Sequence, residues 1–72
     1  MGEKIIELRQ NEQFITLGIL LKIAKLVPTG GQAKAFLAEN TVLVNGEQDN
    51  RRGRKLYTSD KVQIGNEIFL IK

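Results

Sequence analysis

The segment Val27-Pro28-Thr29 constrains the fold of this chain more than any other, because it ends one helical stretch and begins the next. Proline pushes the residue before it out of helical geometry, so the first helix should end at Val27. Thr29, with Gln32 three residues later, forms the capping-box pattern that begins a second helix. Since hardly any chain separates the two helices, they must pack against each other at a fixed angle.

The first helix should begin at Thr16, whose hydroxyl can cap the unpaired N–H groups of the first turn. Ile15 before it and Leu20 after it stand at the positions of a hydrophobic staple. Helical spacing relates the members of one apolar stripe, which are Leu17, Leu20, Leu21 and Ala24. Lys22 and Lys25 should therefore lie on the opposite face of this helix.

The rest of the chain predicts an α+β domain. The second helix should bury Ala33, Phe36 and Leu37 and end at Asn40 in a left-handed conformation. Strands are predicted over residues 3–8, 41–44, 61–64 and 67–71, with hairpin turns at Asn45-Gly46 and Gly65-Asn66. The order of elements indicates one domain over residues 1–72, in which two short packed helices lie on one side of a small antiparallel sheet.

Composition argues against an enzyme. The 72 residues include no cysteine and no histidine, which removes thiolate metal sites, disulfides and the usual general base. The carboxylates have no spacing typical of a metal site or an acid–base pair, so no catalytic residue, metal, cofactor or small-molecule substrate is predicted. Lys22 interrupts the apolar run Ile19-Leu20-Leu21 and no targeting signal is evident, so no membrane association and a cytoplasmic location are expected.

Positive charge is concentrated in the middle of the chain. The net charge is −1 over residues 1–21, +4 over residues 22–55 and zero over residues 56–72, which together give the overall +3. A clustered basic surface is the electrostatic feature expected of a nucleic-acid binder.

Three segments supply candidate contacts. Arg51-Arg52-Gly53-Arg54-Lys55 combines arginine forks and a lysine with a flexible glycine, although it could also be a solvated loop that only aids solubility. Thr29-Gly30-Gly31-Gln32-Ala33-Lys34 begins a helix whose N–H groups could hold a phosphate, or could simply allow a tight link. Lys22 and Lys25 could also contact a nucleic acid, but lysines opposite an apolar stripe more often form only the solvent-exposed face of a helix.

Only four aromatic residues are present: Phe14, Phe36, Tyr57 and Phe69. Such a small number argues against a wide base-stacking platform and favours recognition of RNA shape and backbone. Tyr57, just after the basic run, could stack on a base, but a half-buried packing role is favoured.

These segments, in this order, resemble the S-four, or alpha-L, RNA-binding domain family, and in particular its free-standing bacterial, YaaA-like form. The resemblance covers residues 14–72 and depends on Ile15 to Lys22, Thr29 to Lys34, Val42-Leu43-Val44-Asn45-Gly46 and Arg51 to Lys55. It implies RNA contacts from Thr29, Gly30, Gly31, Gln32, Lys34, Arg51, Arg52, Arg54 and Lys55. One departure is Thr58-Ser59-Asp60, where many relatives have Pro-Gly-Asp.

The predicted function is non-catalytic binding of structured RNA, ribosomal RNA in the first place, with ribosomal proteins as further partners. Two alternatives remain open from the sequence. One is a ribosome-associated protein-interaction adaptor with only non-specific nucleic-acid affinity. The other is a DNA binder, which the small, mostly apolar second helix makes less favourable.

Overall fold

The computed structural model describes residues 2–72, which contain two helices and seven strands. In chain order these are β1 (Gly2–Ile6), β2 (Ile15–Thr16), α1 (Leu17–Ile23), α2 (Gly30–Glu39), β3 (Val42–Val44), β4 (Glu47–Gln48), β5 (Lys55–Leu56), β6 (Lys61–Ile64) and β7 (Glu67–Ile71). The predicted α+β class is confirmed.

The main sheet has five strands in the order β1-β7-β6-β3-β4, and a second sheet consists of β2 and β5. Every pairing in the main sheet is antiparallel except that of β1, which runs parallel to β7. The sheet is therefore mixed where a purely antiparallel one was expected. The sequence could not show this difference, because β1 pairs with a strand some 65 residues away, with Gly2 opposite Glu67.

One core joins both helices to the sheet. The alternation in β6 buries Val62 and Ile64 and exposes the residues between them, which places one face of the sheet toward the helices. The fully buried large side chains are Phe69, Leu17, Leu20, Leu21, Leu56, Ile71, Val42, Val44 and Val62. Leu17, Leu20 and Leu21 belong to the predicted stripe of the first helix, and its fourth member, Ala24, packs half-buried against the same core.

Helix α1 ends at Ile23, four residues before the predicted end at Val27. Lys25 adopts a left-handed conformation with φ of 63°, and its N–H donates to the Lys22 carbonyl, while the Leu26 N–H donates to the Leu21 carbonyl. These two bonds form a Schellman motif, which turns the chain so that Val27 enters the core. The placement of Lys25 on the outer face of the helix was therefore wrong.

Helix α2 begins after Thr29, as predicted, but the capping box does not form. The Thr29 side chain makes no capping hydrogen bond, and the Gln32 N–H donates to the Thr29 carbonyl at 3.2 Å. At the other end Asn40 is extended, with φ of −129°, and its side-chain amide donates to the Phe36 carbonyl. The prediction of a left-handed Asn40 was therefore wrong: its backbone N–H and its side-chain amide both donate to the Phe36 carbonyl, and the chain leaves the helix extended.

The Asn45-Gly46 hairpin is confirmed, since both residues have positive φ, 53° and 86°.

Among residues 2–72, no helix combines the length and apolar character needed to cross a membrane.

Candidate nucleic-acid interface

The segment from Asp49 to Lys55, here called the basic loop, is attached by its backbone to the start of α1. The Leu17 N–H donates to the Arg54 carbonyl at 2.8 Å, and the Gly18 N–H donates to the Arg52 carbonyl at 2.9 Å. The next free N–H, that of Ile19, donates to the Thr16 hydroxyl at 3.3 Å. The N-terminal N–H groups of α1 therefore hold the loop in place and are not available to an anion.

Asp49 organises the loop from within. Its carboxylate accepts hydrogen bonds from the backbone N–H, Nε and Nη2 of Arg51 and from Nη1 of Arg54, at 2.8 to 3.1 Å. The side chain of Asp49 is only 7% exposed. The Arg51 side chain, helped by its N–H and by Arg54, holds the pKa of Asp49 well below its usual range, although burial opposes this. The same pair raises the pKa of Arg51.

The four basic residues of the loop are consequently not equivalent. Arg51 and Arg54 share one carboxylate, so part of their charge is already compensated. Arg52 and Lys55 are exposed, and no carboxylate of residues 2–72 lies within ion-pair distance of either. The positive charges of Arg52 and Lys55 are thus the ones in the loop that no carboxylate in the described part of the chain compensates.

Gly18 allows Arg52 to cross α1 at close range. A Cβ atom at Gly18 would lie 2.7 Å from Cγ of Arg52 and 3.4 Å from its carbonyl oxygen, so any side chain there must displace the arginine. Sequence reasoning assigned no role to Gly18. A glycine at the second position of an otherwise strongly apolar helix, where it lowers helix propensity, was the signal that could have indicated a close contact.

Three predicted segments meet around an open depression of about 290 Å³. Lys22 on α1, Gly30 at the start of α2 and Arg52 with Gly53 in the basic loop all line it. The other predicted residues of this region, Lys25, Thr29, Gly31, Gln32 and Lys34, are exposed but do not line the depression.

A second depression, of about 540 Å³, shares Gly53 with the first. Its other lining residues are Arg51, Arg54, Lys55, Tyr57 and Asp60. Sequence reasoning considered base stacking on Tyr57 but favoured a packing role for it, and it assigned no contact to Asp60. Within residues 2–72, no group of three or more acidic side chains is placed to hold a metal ion.

Comparison with known proteins agrees with this architecture. A family model described as S4 domain matches residues 6–72. A protein of Bacillus subtilis (strain 168) named "Probable ribosome maturation protein RlbA" is 60% identical over 52 residues, which cover 72% of this chain and 73% of that protein. The match therefore extends well beyond the basic loop to most of the domain.

Proposed function

The chain belongs to the S4 domain family, and on that premise we propose that it is a non-catalytic RNA-binding protein that contacts structured RNA, ribosomal RNA first of all. The observation that carries the proposal is the meeting of Lys22, Gly30 and Arg52 around one depression, although they come from three separate parts of the sequence. The proposed contacts are Lys22, Lys25, Thr29, Gly30, Gly31, Gln32, Lys34, Arg51, Arg52, Arg54 and Lys55.

The proposed mechanism is phosphate contact with release of counterions. Arg52 can present its planar guanidinium to a phosphate without first leaving a carboxylate. The N–H groups of Gly30 and Gly31 stand at the positive end of the α2 dipole, and the Thr29 side chain does not occupy them. A phosphate that contacted both the Arg52 guanidinium and these N–H groups would bridge the basic loop and α2.

The name of the Bacillus relative supplies the biological context of the proposal. That protein is called a ribosome maturation protein, and we extend this to a bacterial, cytoplasmic role on ribosomal RNA for this chain, with ribosomal proteins as neighbours. We also propose that residues 1–72 act as one domain, with residues 14–72 as the RNA-binding motif.

Fluorescence anisotropy tests the proposal, with a folded ribosomal RNA fragment and a DNA duplex titrated over several salt concentrations. We expect salt-dependent binding that prefers the RNA. Arg52→Ala should weaken it and lower the slope of log affinity against log salt by about 1, because one phosphate contact is lost. Lys61→Ala, which removes an exposed charge on β6, is the matched control and should change little. Equal, weak binding of the wild-type chain to RNA and DNA would contradict the proposal.

One observation favours a second candidate, a protein-interaction adaptor on the ribosome. Ile19 and Ile23 lie one helical turn apart on α1 and are 47% and 50% exposed, next to Lys22. Exposed apolar side chains of this size suit contact with a protein surface. Ribosome association that survives ribonuclease treatment and is lost in Ile19→Ser/Ile23→Ser would favour the adaptor.

A further inference from the structure

We propose that the second depression is a binding site for one unpaired RNA base, which stacks on Tyr57 while its flanking phosphates contact the rim. This inference deepens the proposed RNA-binding function and depends on it. It adds a base contact to a surface whose other proposed contacts are to the backbone.

Tyr57 faces outward beside the charged residues of the loop. Leu56 is fully buried, and because side chains alternate along a strand, Lys55 emerges on the opposite, exposed side. Tyr57, directly after β5, is exposed as well. Tyr57 is 47% exposed and lines the depression. An aromatic surface of this kind in a basic setting is the combination that holds unpaired bases in RNA-binding proteins.

Phe14 supports the tyrosine ring from the protein side. The two ring centroids are 5.7 Å apart with the planes inclined at 50°, which is a favourable aromatic arrangement. The Lys55 ammonium lies 5.0 Å from the centroid of the Phe14 ring, so the same phenylalanine also positions a cation at the edge of the site.

The backbone of Tyr57 is fixed by Asp60. The Tyr57 N–H donates to Oδ2 of Asp60 at 2.7 Å, and the Tyr57 carbonyl accepts from the Asp60 N–H at 2.9 Å. The other carboxylate oxygen, Oδ1, accepts from the side-chain amide of Asn45 at 3.1 Å, so both oxygens of Asp60 have partners. A ring held in place before binding loses little conformational entropy when a base stacks on it.

The rim supplies the charge that a nucleotide requires. Arg51, Arg54 and Lys55 line the depression, against one carboxylate, that of Asp60. Arg51 and Arg54 are held by Asp49, which leaves Lys55 as the residue best placed to contact a flanking phosphate. The depression is therefore basic at its rim and aromatic at Tyr57.

Substitution of Tyr57 tests the proposal with ribosomal RNA purified from bacterial ribosomes as the probe. Tyr57→Phe keeps the ring and should bind within about twofold of the wild type. Tyr57→Ala should weaken binding by about five- to 150-fold, since base–aromatic stacking contributes about 1–3 kcal/mol. The salt dependence should stay unchanged, because no phosphate contact is lost, in contrast to Arg52→Ala.

Ultraviolet crosslinking to the same RNA, with mass spectrometry of the digested protein, provides a second readout that does not depend on folding of the variant. A nucleotide adduct on Tyr57 is the expected result. Wild-type affinity in folded Tyr57→Ala, with adducts only elsewhere, would overturn the stacking site and leave the RNA-binding proposal standing. Failure of the wild-type chain to bind the RNA would overturn both.

Discussion

The N-terminal ends of α1 and α2 carry the same sequence signal and have opposite surroundings. Each follows a threonine, and each has glycine at its second position, Gly18 in α1 and Gly31 in α2. At α1 the threonine side chain and two carbonyls of the basic loop accept the free N–H groups. At α2 the threonine side chain accepts none. The same local pattern thus serves as an anchor at one helix and leaves an open end at the other.

The two glycines provide the strongest test of this difference. Gly18→Ala should destabilise the protein by about 1 kcal/mol, because the clash with Arg52 costs more than the helix gains from alanine. Gly31→Ala should stabilise it by up to about 1 kcal/mol, because beyond its chain neighbours and the backbone of α2 the added methyl group would meet only the Thr29 hydroxyl oxygen, at an ordinary contact distance of 3.9 Å. Urea denaturation of both variants measures their free energies of unfolding. A change in the same direction for both variants would contradict the difference between the two helix ends.

Replacement of Asp49 tests whether the basic loop, which is bonded to the start of α1, also depends on this carboxylate for its order. Asp49→Asn should lower the free energy of unfolding by about 1–2 kcal/mol, since hydrogen bonds from two arginines to a charged acceptor are weakened. Loss of one negative charge should increase binding to a DNA duplex, whereas loss of loop order should reduce the preference for folded RNA. Increased affinity for both nucleic acids with an unchanged preference would show that charge alone matters.

The pH dependence of stability should report the same contact. Because folding lowers the pKa of Asp49, its stabilising contribution is complete above the ordinary value of 3.8 and is lost as the pH falls below that value. The stability difference between the wild type and Asp49→Asn should therefore shrink between about pH 5 and about pH 2. Thermal denaturation of both proteins across this pH range measures the difference. The contributions of all other carboxylates cancel, because both proteins contain them. A constant difference would be inconsistent with an ionised Asp49 in the loop.

The smallest expected effect concerns the two threonines. Thr16→Ala should cost about 0.5–1 kcal/mol, because the Ile19 N–H loses its acceptor. Thr29→Ala should change stability by less than about 0.5 kcal/mol, since its hydroxyl accepts no capping bond. Equal losses in thermal denaturation would mean that the two helix ends are alike after all.

Local signals predicted most elements of the fold, and long-range contacts account for what was missed. The strands at 61–64 and 67–71 and the Asn45-Gly46 turn follow from alternation and turn chemistry between near neighbours. The early end of α1 at Ile23 does not, because the chain turns at Lys25 in a way that buries Val27.

The candidate site shows the same limit. The basic residues were identified by type, but the convergence of Lys22 and Arg52 around one depression depends on the packing of α1 against the loop. The approach of Arg52 to Gly18 joins residues more than 30 positions apart, and the division of the four basic residues depends on the rotamers around Asp49. Neither can be obtained from a basic run of sequence alone.

The parallel pairing of β1 with β7 has a consequence for the chain before it is complete. Of the five strands of the main sheet, β1 is synthesised first, and it has no partner in that sheet until β7 has left the ribosome. Without β1, β7 would be an edge strand bearing Ile68 and Leu70, which could associate with another chain. Once paired, the sheet ends instead in β1, where Glu3 and Lys4 are exposed and disfavour further strand addition. Within this sheet, the strand that is synthesised first thus covers the edge of the strand that is synthesised last.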